Sequence, residues 1–387
     1  MMNPTIQHFK IGSTELLPIV QGGMGIGISA HRLASAVARE NGVGTIASVD
    51  LRHLHADLLA ESLREPNEDK YNRLNCTALD REIKQALHDS QGRGMIAVNV
   101  MKAVKDHVAL VRQACESGAH AIAMGAGLPL ELPDWTRNFP NIKLLPILSE
   151  SRGVGIVLKR WMKKNRLPDA VVIENPQYAA GHLGASQLSE VNLEKFEFKR
   201  VLNEIFELFK QLDLERENIP IIVAGGLACA HKIKTALYEW GASAVQIGSA
   251  FAVTHEGDAQ DGFKQTLLHS SPHEIAEFMS VAGLPARGIK TRFLTQYLKR
   301  EDKLQAHAKA DPRRCVQGMN CLSVCGLRDG IANIGQFCID QKLAAAWRGE
   351  HEKGLFFKSN APLPFGNKMV SVRETISKLT QELPMFA

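Results

Sequence analysis

A histidine among small residues, two glycine-rich turns and a knot of cysteines are the groups in this sequence that can do chemistry. His182 lies in Glu174-Asn175-Pro176-Gln177-Tyr178-Ala179-Ala180-Gly181-His182-Leu183-Gly184. Its small neighbours leave room for a ligand, and a neutral imidazole can take up a proton near pH 7. The chain has 14 histidines, and most must pack or face solvent. His182 is set apart by following an apolar run of the kind that forms a buried strand. Ala224-Gly225-Gly226 and Gln246-Ile247-Gly248-Ser249 end two more such runs, each leading into a helical pattern. Exposed N–H groups at turns of this kind, with the positive end of a helix dipole behind them, favour an anion such as phosphate. One glycine-rich turn need mean only a tight bend; two in succession make phosphate binding the better reading. Gln21-Gly22-Gly23-Met24-Gly25-Ile26-Gly27 lacks the acidic partner of a dinucleotide fingerprint, yet it lets backbone approach a flat ring. Asn99 interrupts the apolar run MIAVNVM. A buried amide needs partners, so Asn99 is either a structural hydrogen-bonder or a ligand contact. No G-x-S-x-G elbow is present, which argues against serine hydrolase chemistry.

Cys315, Cys321, Cys325 and Cys338 put four of the seven cysteines within 24 residues. The spacing C-x5-C-x3-C-x12-C fits no standard zinc pattern and is loosely like that of iron–sulfur ligands. The simpler reading is that these are small residues packing a loop-rich lobe; an iron–sulfur cluster or zinc is the alternative.

The elements that must position these groups are legible as eight short apolar runs, near 17–23, 42–48, 95–101, 121–127, 143–149, 170–175, 220–226 and 244–250. They are continuous rather than alternating, as parallel strands covered on both faces require. Helical patterns such as HRLASAVAREN, KDHVALVRQACESGA, SRGVGIVLKRWMKKNR and ACAHKIKTALYEWGA lie between them. Eight strand–helix units favour an α/β fold closed as a (β/α)₈ TIM barrel. The gaps 49–94 and 176–219 are long enough to be insertions after the second and sixth strands, the latter with the helical stretch VNLEKFEFKRVLNEIFELFKQL. After about residue 255 the strand rhythm stops. The expected organisation is a barrel over residues 1–255 and a mostly helical and loop lobe over 256–387, packed on it.

Composition sets outer bounds. The chain has 45% apolar and 22% charged residues, and 46 basic against 41 acidic side chains give a net charge of +5. No dense basic run suggests nucleic acid. The start, MMNPTIQHFKIG, lacks the layout of a secretion signal, and no run approaches the roughly 18 apolar residues of a membrane span. The cytoplasm is the expected location, with no membrane or nucleic-acid partner and a homo-oligomer left open.

Taken together, the segments resemble the nitronate monooxygenase family, formerly the 2-nitropropane dioxygenases, relatives of FMN-dependent enoyl-acyl-carrier-protein reductases and NADH:quinone reductases. The resemblance runs through PIVQGGMG at 18–25, IAVNVM at 96–101, GAGLP at 125–129, KLLPILSESRGVGIVLKRW at 143–161 and AAGHLGA at 179–185. It continues through IIVAGGLA at 221–228, AVQIGSAFAVTHE at 244–256, SVAGLPARGIKTRFL at 280–294 and GLFFKSNA at 354–361. It implies FMN, with its phosphate on Gly225, Gly226, Gly248 and Ser249 and its ribityl chain near Gln246. Gln21, Gly22, Met24 and Asn99 would lie near the isoalloxazine, Gly181 and Gly184 would also border the cofactor, and His182 matches the family's catalytic histidine. Two departures bear on substrate choice: Ala180-Gly181-His182 stands where Gly-Gly-His is usual, and Gly22-Gly23 where Gly-Pro is common.

The implied reaction oxidises a small-molecule alkyl nitronate with FMN and O2, releasing a carbonyl compound and nitrite. Two other classes compete. One is an NAD(P)H-dependent reductase of an enoyl thioester or quinone on the same FMN barrel. The other is a metal- or cluster-stabilised binding protein that has lost catalysis.

Overall fold

Continuous apolar runs suit strands whose side chains are buried on both faces, some against helices and some inside a closed sheet. In the computed structural model, which describes residues 5–64, 67–315 and 320–386, the eight runs become eight parallel strands. They are β1 (Ile19–Gln21), β2 (Val43–Ala47), β3 (Met95–Met101), β4 (Ala121–Gly125), β5 (Lys143–Leu148), β6 (Val171–Glu174), β7 (Ile221–Ala224) and β8 (Ala244–Ile247). Each pairs with the next, and β8 pairs with β1, so the sheet closes into the expected (β/α)₈ barrel.

Strand alternation decides which side chains face the barrel interior. Val20, Val43, Met95, Ala97, Ala121, Ala123, Leu145, Val172, Ile222 and Ala244 form the inner cluster. Small residues predominate on β3 and β4, at Ala97, Ala121 and Ala123. The intervening positions, among them Ile19, Ile46, Ile96, Val98, Ile173, Val223 and Val245, pack outward under the helices. Each large aliphatic so buried contributes about 1.5–3 kcal/mol. An N-terminal hairpin, Phe9–Ile11 with Thr14–Leu16, places Phe9, Ile11 and Leu16 in the inner cluster and closes the bottom of the barrel.

The outer layer is built from α1 (His31–Arg39), α2 (Glu68–Ser90), α3 (His107–Glu116), α4 (Ser151–Met162), α5 (Phe198–Gln211) and α6 (Ala230–Tyr238). The long α2 lies within the expected insertion after β2. It starts at Asn67, whose side chain caps the Lys70 N–H at 3.1 Å. Leu74, Ala78, Leu79, Ile83 and Ala86 give it a buried stripe at helical spacing.

The insertion after β6 contains a two-residue strand, Gly181–His182. It pairs with a partner more than 100 residues away. β9 (Ile275–Met279) and β10 (Pro285–Ile289) form an antiparallel hairpin, and β10 lays Arg287 opposite Gly181 and Ala286 opposite His182. The chain after residue 255 is otherwise mainly helix and loop, and this hairpin is how it grips the His182 segment. The fully buried Arg287 strengthens the grip. Its guanidinium donates to the Pro176 carbonyl at 3.2 Å and to that of Ala179, and pairs with Glu277. Further on, α7 (Ile339–Trp347) borders the mouth of the barrel, and α8 (Val372–Thr380) packs back on α1 and α6. Among the described residues no helix is long and apolar enough to cross a membrane.

Candidate functional site

Continuing the inward alternation by one step past the barrel core brings polar and glycine residues to the C-terminal rim. Gly22 follows Val20, Asn99 and Met101 follow Ala97, and Glu174 follows Val172. Gly226 follows Ala224, and Gln246 follows Ala244. All of them line one cavity of about 560 Å³ at the C-terminal end of the strands, where barrels carry their chemistry. That volume lies within the range of sites for small molecules and cofactors. The strand register sets Glu174 and Gln246 level with each other, on either side of Ala224.

The β7 and β8 turns supply the part of the wall suited to an anion. Gly225 and Gly226 have φ of 110° and 70°, a region glycine enters readily. A Cβ on Gly226 would also lie 2.8 Å from that of Tyr178. These conformations turn the chain so that Gly226, Leu227 and Ala228 face the cavity, as do Ser249 and Ala250 after β8. Among the described residues the N–H groups of Gly226, Leu227 and Ala228 have no hydrogen-bond acceptor. Gly248 differs, because a Cβ there would have only the Met24 side chain nearby, Sδ at 3.5 Å and Cγ at 3.9 Å. Its bareness keeps space open in the cavity.

The flat part of the wall comes from the first turn. A Cβ on Gly23 would come within 2.3 Å of Asn99 Cβ, and one on Gly25 within 2.1 Å of Val49 Cγ1, so glycine is what lets this loop lie against β3 and the loop after β2. Asn99 uses one N–H on the Ala123 carbonyl at 3.3 Å and keeps the rest of its amide for the cavity. The Gln246 side chain has no hydrogen-bond partner among the described residues and lines the same space.

His182 is half-buried on the cavity wall, with Nε2 3.0 Å from Ser280 Oγ and its ring 5.9 Å from that of Phe357. Burial pushes its pKa down to about 4, so the ring is uncharged at neutral pH. Glu174 faces the same cavity, and burial pushes its carboxyl up to about 7. The site therefore holds an imidazole that lacks its proton and a carboxyl that keeps one near neutrality, the reverse of their order in water.

Of the residues singled out from sequence, Gly22, Met24, Asn99, Gly181, His182, Gly184, Gly225, Gly226, Gln246, Gly248 and Ser249 meet at this cavity. Gln21 does not. It shares the outward alternation of Ile19, is fully buried, and holds the Thr45 N–H at 2.8 Å and the Thr45 carbonyl at 3.1 Å. Its amide ties β1 to β2, and its side chain is not part of the cavity wall. Cys321 lies on the cavity wall as well, whereas Cys315, Cys325 and Cys338 do not line it.

Sequence reasoning passed over Glu174, Asp50 and Asp340, all on the wall. For Glu174 a signal existed, since it is a polar residue at an inward position of a strand end. Asp50 and Asp340 belong to a buried ionic group that no local pattern announces. Arg52 Nε lies 2.9 Å from Asp50, and His53 Nε2 lies 3.3 Å from Asp50 and 3.6 Å from Asp340. Burial opposes charge on His53, but the two carboxylates outweigh it and lift its pKa to about 9. Burial and the neighbouring Asp50 push Asp340 up to about 7, and Asp50 is held below the usual carboxylate range by its contacts with Asp340, His53 and Arg52. With a guanidinium already on Asp50, this is an internal ion network rather than a vacant cation site.

The profile of the nitronate monooxygenase family matches residues 8–382. A probable nitronate monooxygenase of Bacillus subtilis (strain 168) is 25% identical over 309 residues, covering 76% of this chain and 81% of that protein. One from Staphylococcus aureus (strain MSSA476) is 22% identical over 348 residues, covering 86% and 88%. Among solved structures, a nitroalkane oxidase from Streptomyces ansochromogenes superposes with a TM-score of 0.64 at 18% identity, covering 95% of each chain. FabK from Thermotoga maritima does so with a TM-score of 0.59 at 20% identity, covering 95% and 92%. At these identities the structures establish a shared fold. The family profile spans nearly the whole chain, and this barrel is an oxidoreductase that belongs to the nitronate monooxygenase family.

Proposed function

We propose that the enzyme binds FMN in this cavity and oxidises alkyl nitronates with molecular oxygen to a carbonyl compound and nitrite. The observation that carries the reading is the meeting, in one cavity, of a cradle of unpaired N–H groups and an uncharged histidine. Gly225, Gly226, Gly248 and Ser249 would hold the phosphate, with Gln246 along the ribityl chain. Gly22, Met24 and Asn99 would border the ring system, with Gly181 and Gly184 beside His182. When bound, FMN supplies the two-electron oxidation and the route to oxygen.

The protein's own part is placement and proton handling. His182 is free to accept a carbon-bound proton from a neutral nitroalkane at pH 7, because burial keeps it unprotonated. Its contact with Ser280 and its pairing to β10 fix the ring. A nitronate is an anion, and a charged Glu174 beside it would repel it. A protonated Glu174 instead offers an O–H to the nitro oxygens, and a bound anion favours that form further.

The decisive test is anaerobic. Purified protein should release FMN on denaturation, and its flavin should be bleached by an alkyl nitronate faster than by NADH or NADPH. Protein without flavin would remove the cofactor reading. Rapid bleaching by a pyridine nucleotide, with none by nitronate, would replace the oxidase with the reductase alternative.

A further inference from the structure

Helix α7 divides two cavities. Ile339, Asp340 and Leu343 lie on the barrel cavity. Gln341, Ala344, Ala345 and Arg348, at helical spacing i, i+3, i+4 and i+7, share the opposite face. With Lys342 they line a second cavity, of about 270 Å³. Ala344 and Ala345 are buried and carry little bulk, which keeps this hollow open. Glu350 and Lys353, in the turn after α7, and His53, from the loop after β2, complete its wall.

The charges on that wall do not balance. Lys342, Arg348 and Lys353 share one carboxylate, Glu350, which Arg348 meets at 2.6 Å and Lys353 at 3.8 Å. Three cations against one anion leave an excess of two positive charges. His53 does not alter the count, because it is matched to Asp50 and Asp340. Arg348 and Lys353 are exposed, and such charges are usually solvated and worth little. Lys342 differs. It is half-buried and makes no ion pair among the described residues; Nζ lies 4.4 Å from the centre of the Phe293 ring. A charge withdrawn from water without a counter-charge is costly, and burial accordingly lowers the Lys342 pKa. The carbonyl end of α7 would repel an anion if it were bare. It is covered, since the Ala344, Ala345 and Ala346 carbonyls accept from the N–H groups of Arg348, Glu350 and Gly349 at 3.1, 2.9 and 2.8 Å.

We propose that this second cavity binds a small phosphate-bearing anion, inorganic phosphate or a phosphomonoester, between Lys342, Arg348 and Lys353. A dianion matches the excess of two charges. Arg348 offers a planar fork of donors suited to phosphate oxygens, and the lysines add point charges. The volume falls just below the roughly 300 Å³ at which sites for larger ligands begin, so the ligand is small. Held by Lys342 and Arg348 on α7 and by Lys353 beyond it, the anion ties the helix to the turn that follows. It thereby braces, from behind, the helix that carries Asp340.

The test is binding of inorganic phosphate and of glycerol phosphate to the full chain, by calorimetry and by the shift in melting temperature. Sodium chloride of equal ionic strength is the control for screening. A ligand that binds only the folded chain raises its melting temperature in a saturable way. Phosphate could also enter the turns after β7 and β8, so the same titration is run on Gly248→Asp, whose carboxylate closes that route. Wild type and Gly248→Asp should respond alike. Lys342→Gln should weaken binding by roughly tenfold or more, as expected for loss of a charged hydrogen bond. Glu350→Gln frees Arg348 and Lys353 and should tighten it, a gain that misfolding cannot imitate. Tighter binding of glycerol phosphate would support an organic ligand, and tighter binding of phosphate the free anion. A response matched by chloride would overturn the proposal. So would binding lost in Gly248→Asp, or binding that neither Lys342→Gln nor Glu350→Gln changes.

Discussion

On the barrel side of the cavity the polar groups are uncommitted. The Gln246 amide, the Gly226–Ala228 N–H groups and the Glu174 carboxyl face open space with few protein partners. On the opposite flank, where the loop after β2 meets α7, they are committed to one another: Asp50 to Arg52 and His53, and His53 to Asp340. The first arrangement suits a wall that binds, because a buried polar group left without a partner is costly until a ligand supplies one. The second suits a wall that holds two distant parts of the chain in register. A substitution on the binding wall should therefore change occupancy or rate with little effect on stability, and one on the holding wall the reverse.

The sharpest way to break that distinction is Gly248→Asp. The site has a negative φ and only van der Waals contact with the flexible Met24 side chain above it, so the fold should persist while flavin retention is lost. Flavin per chain and a thermal melt, measured together, decide it; a variant that keeps its flavin would remove Gly248 from the cradle. His182→Asn comes next. It should lower turnover of a neutral nitroalkane by about a hundred- to ten-thousand-fold, with a much smaller effect on preformed nitronate and unchanged FMN content. Equal losses on both substrates would make His182 a binding residue.

On the holding wall, Asp50→Ala leaves Arg52 and His53 buried without their common partner. Breaking a buried ion pair from one side costs about 3–5 kcal/mol, which denaturant unfolding should register. A cost below about 1 kcal/mol, as for exposed pairs, would show that this wall holds nothing. A smaller effect comes from pH. The folded His53 pKa of about 9 exceeds its ordinary 6.5, so its stabilisation is complete below pH 6.5 and fades as pH rises through 9. The stability gap between wild type and His53→Gln should therefore narrow across that window; a gap constant with pH would rule out a charged His53. On the binding wall, the matching experiment is the pH–rate profile. The limb near pH 7 assigned to Glu174 should vanish in Glu174→Gln and survive in His53→Gln.

Much of the barrel and of its rim was legible in the sequence because both rest on local regularities. Eight apolar runs locate eight strands, and a glycine-rich end after two consecutive runs marks two turns that open on the cavity. Alternation along MIAVNVM fixes Asn99 on the inner face with Met95 and Ala97. The same alternation, applied to β1, turns Gln21 outward and Gly22 inward, a distinction that motif matching alone overlooks.

The sequence by itself determined where strands begin and end, which faces are apolar and which residue types crowd the strand ends, since those follow from periodicity over a few residues. Tertiary structure alone decided that β10 would grip His182 from about 100 residues away, that Asp50 would meet Asp340, and that Cys321 would reach the cavity. Those contacts depend on how the chain after residue 255 docks on the barrel mouth. Docking is fixed by the summed fit of many buried surfaces, and no short window of sequence carries that sum.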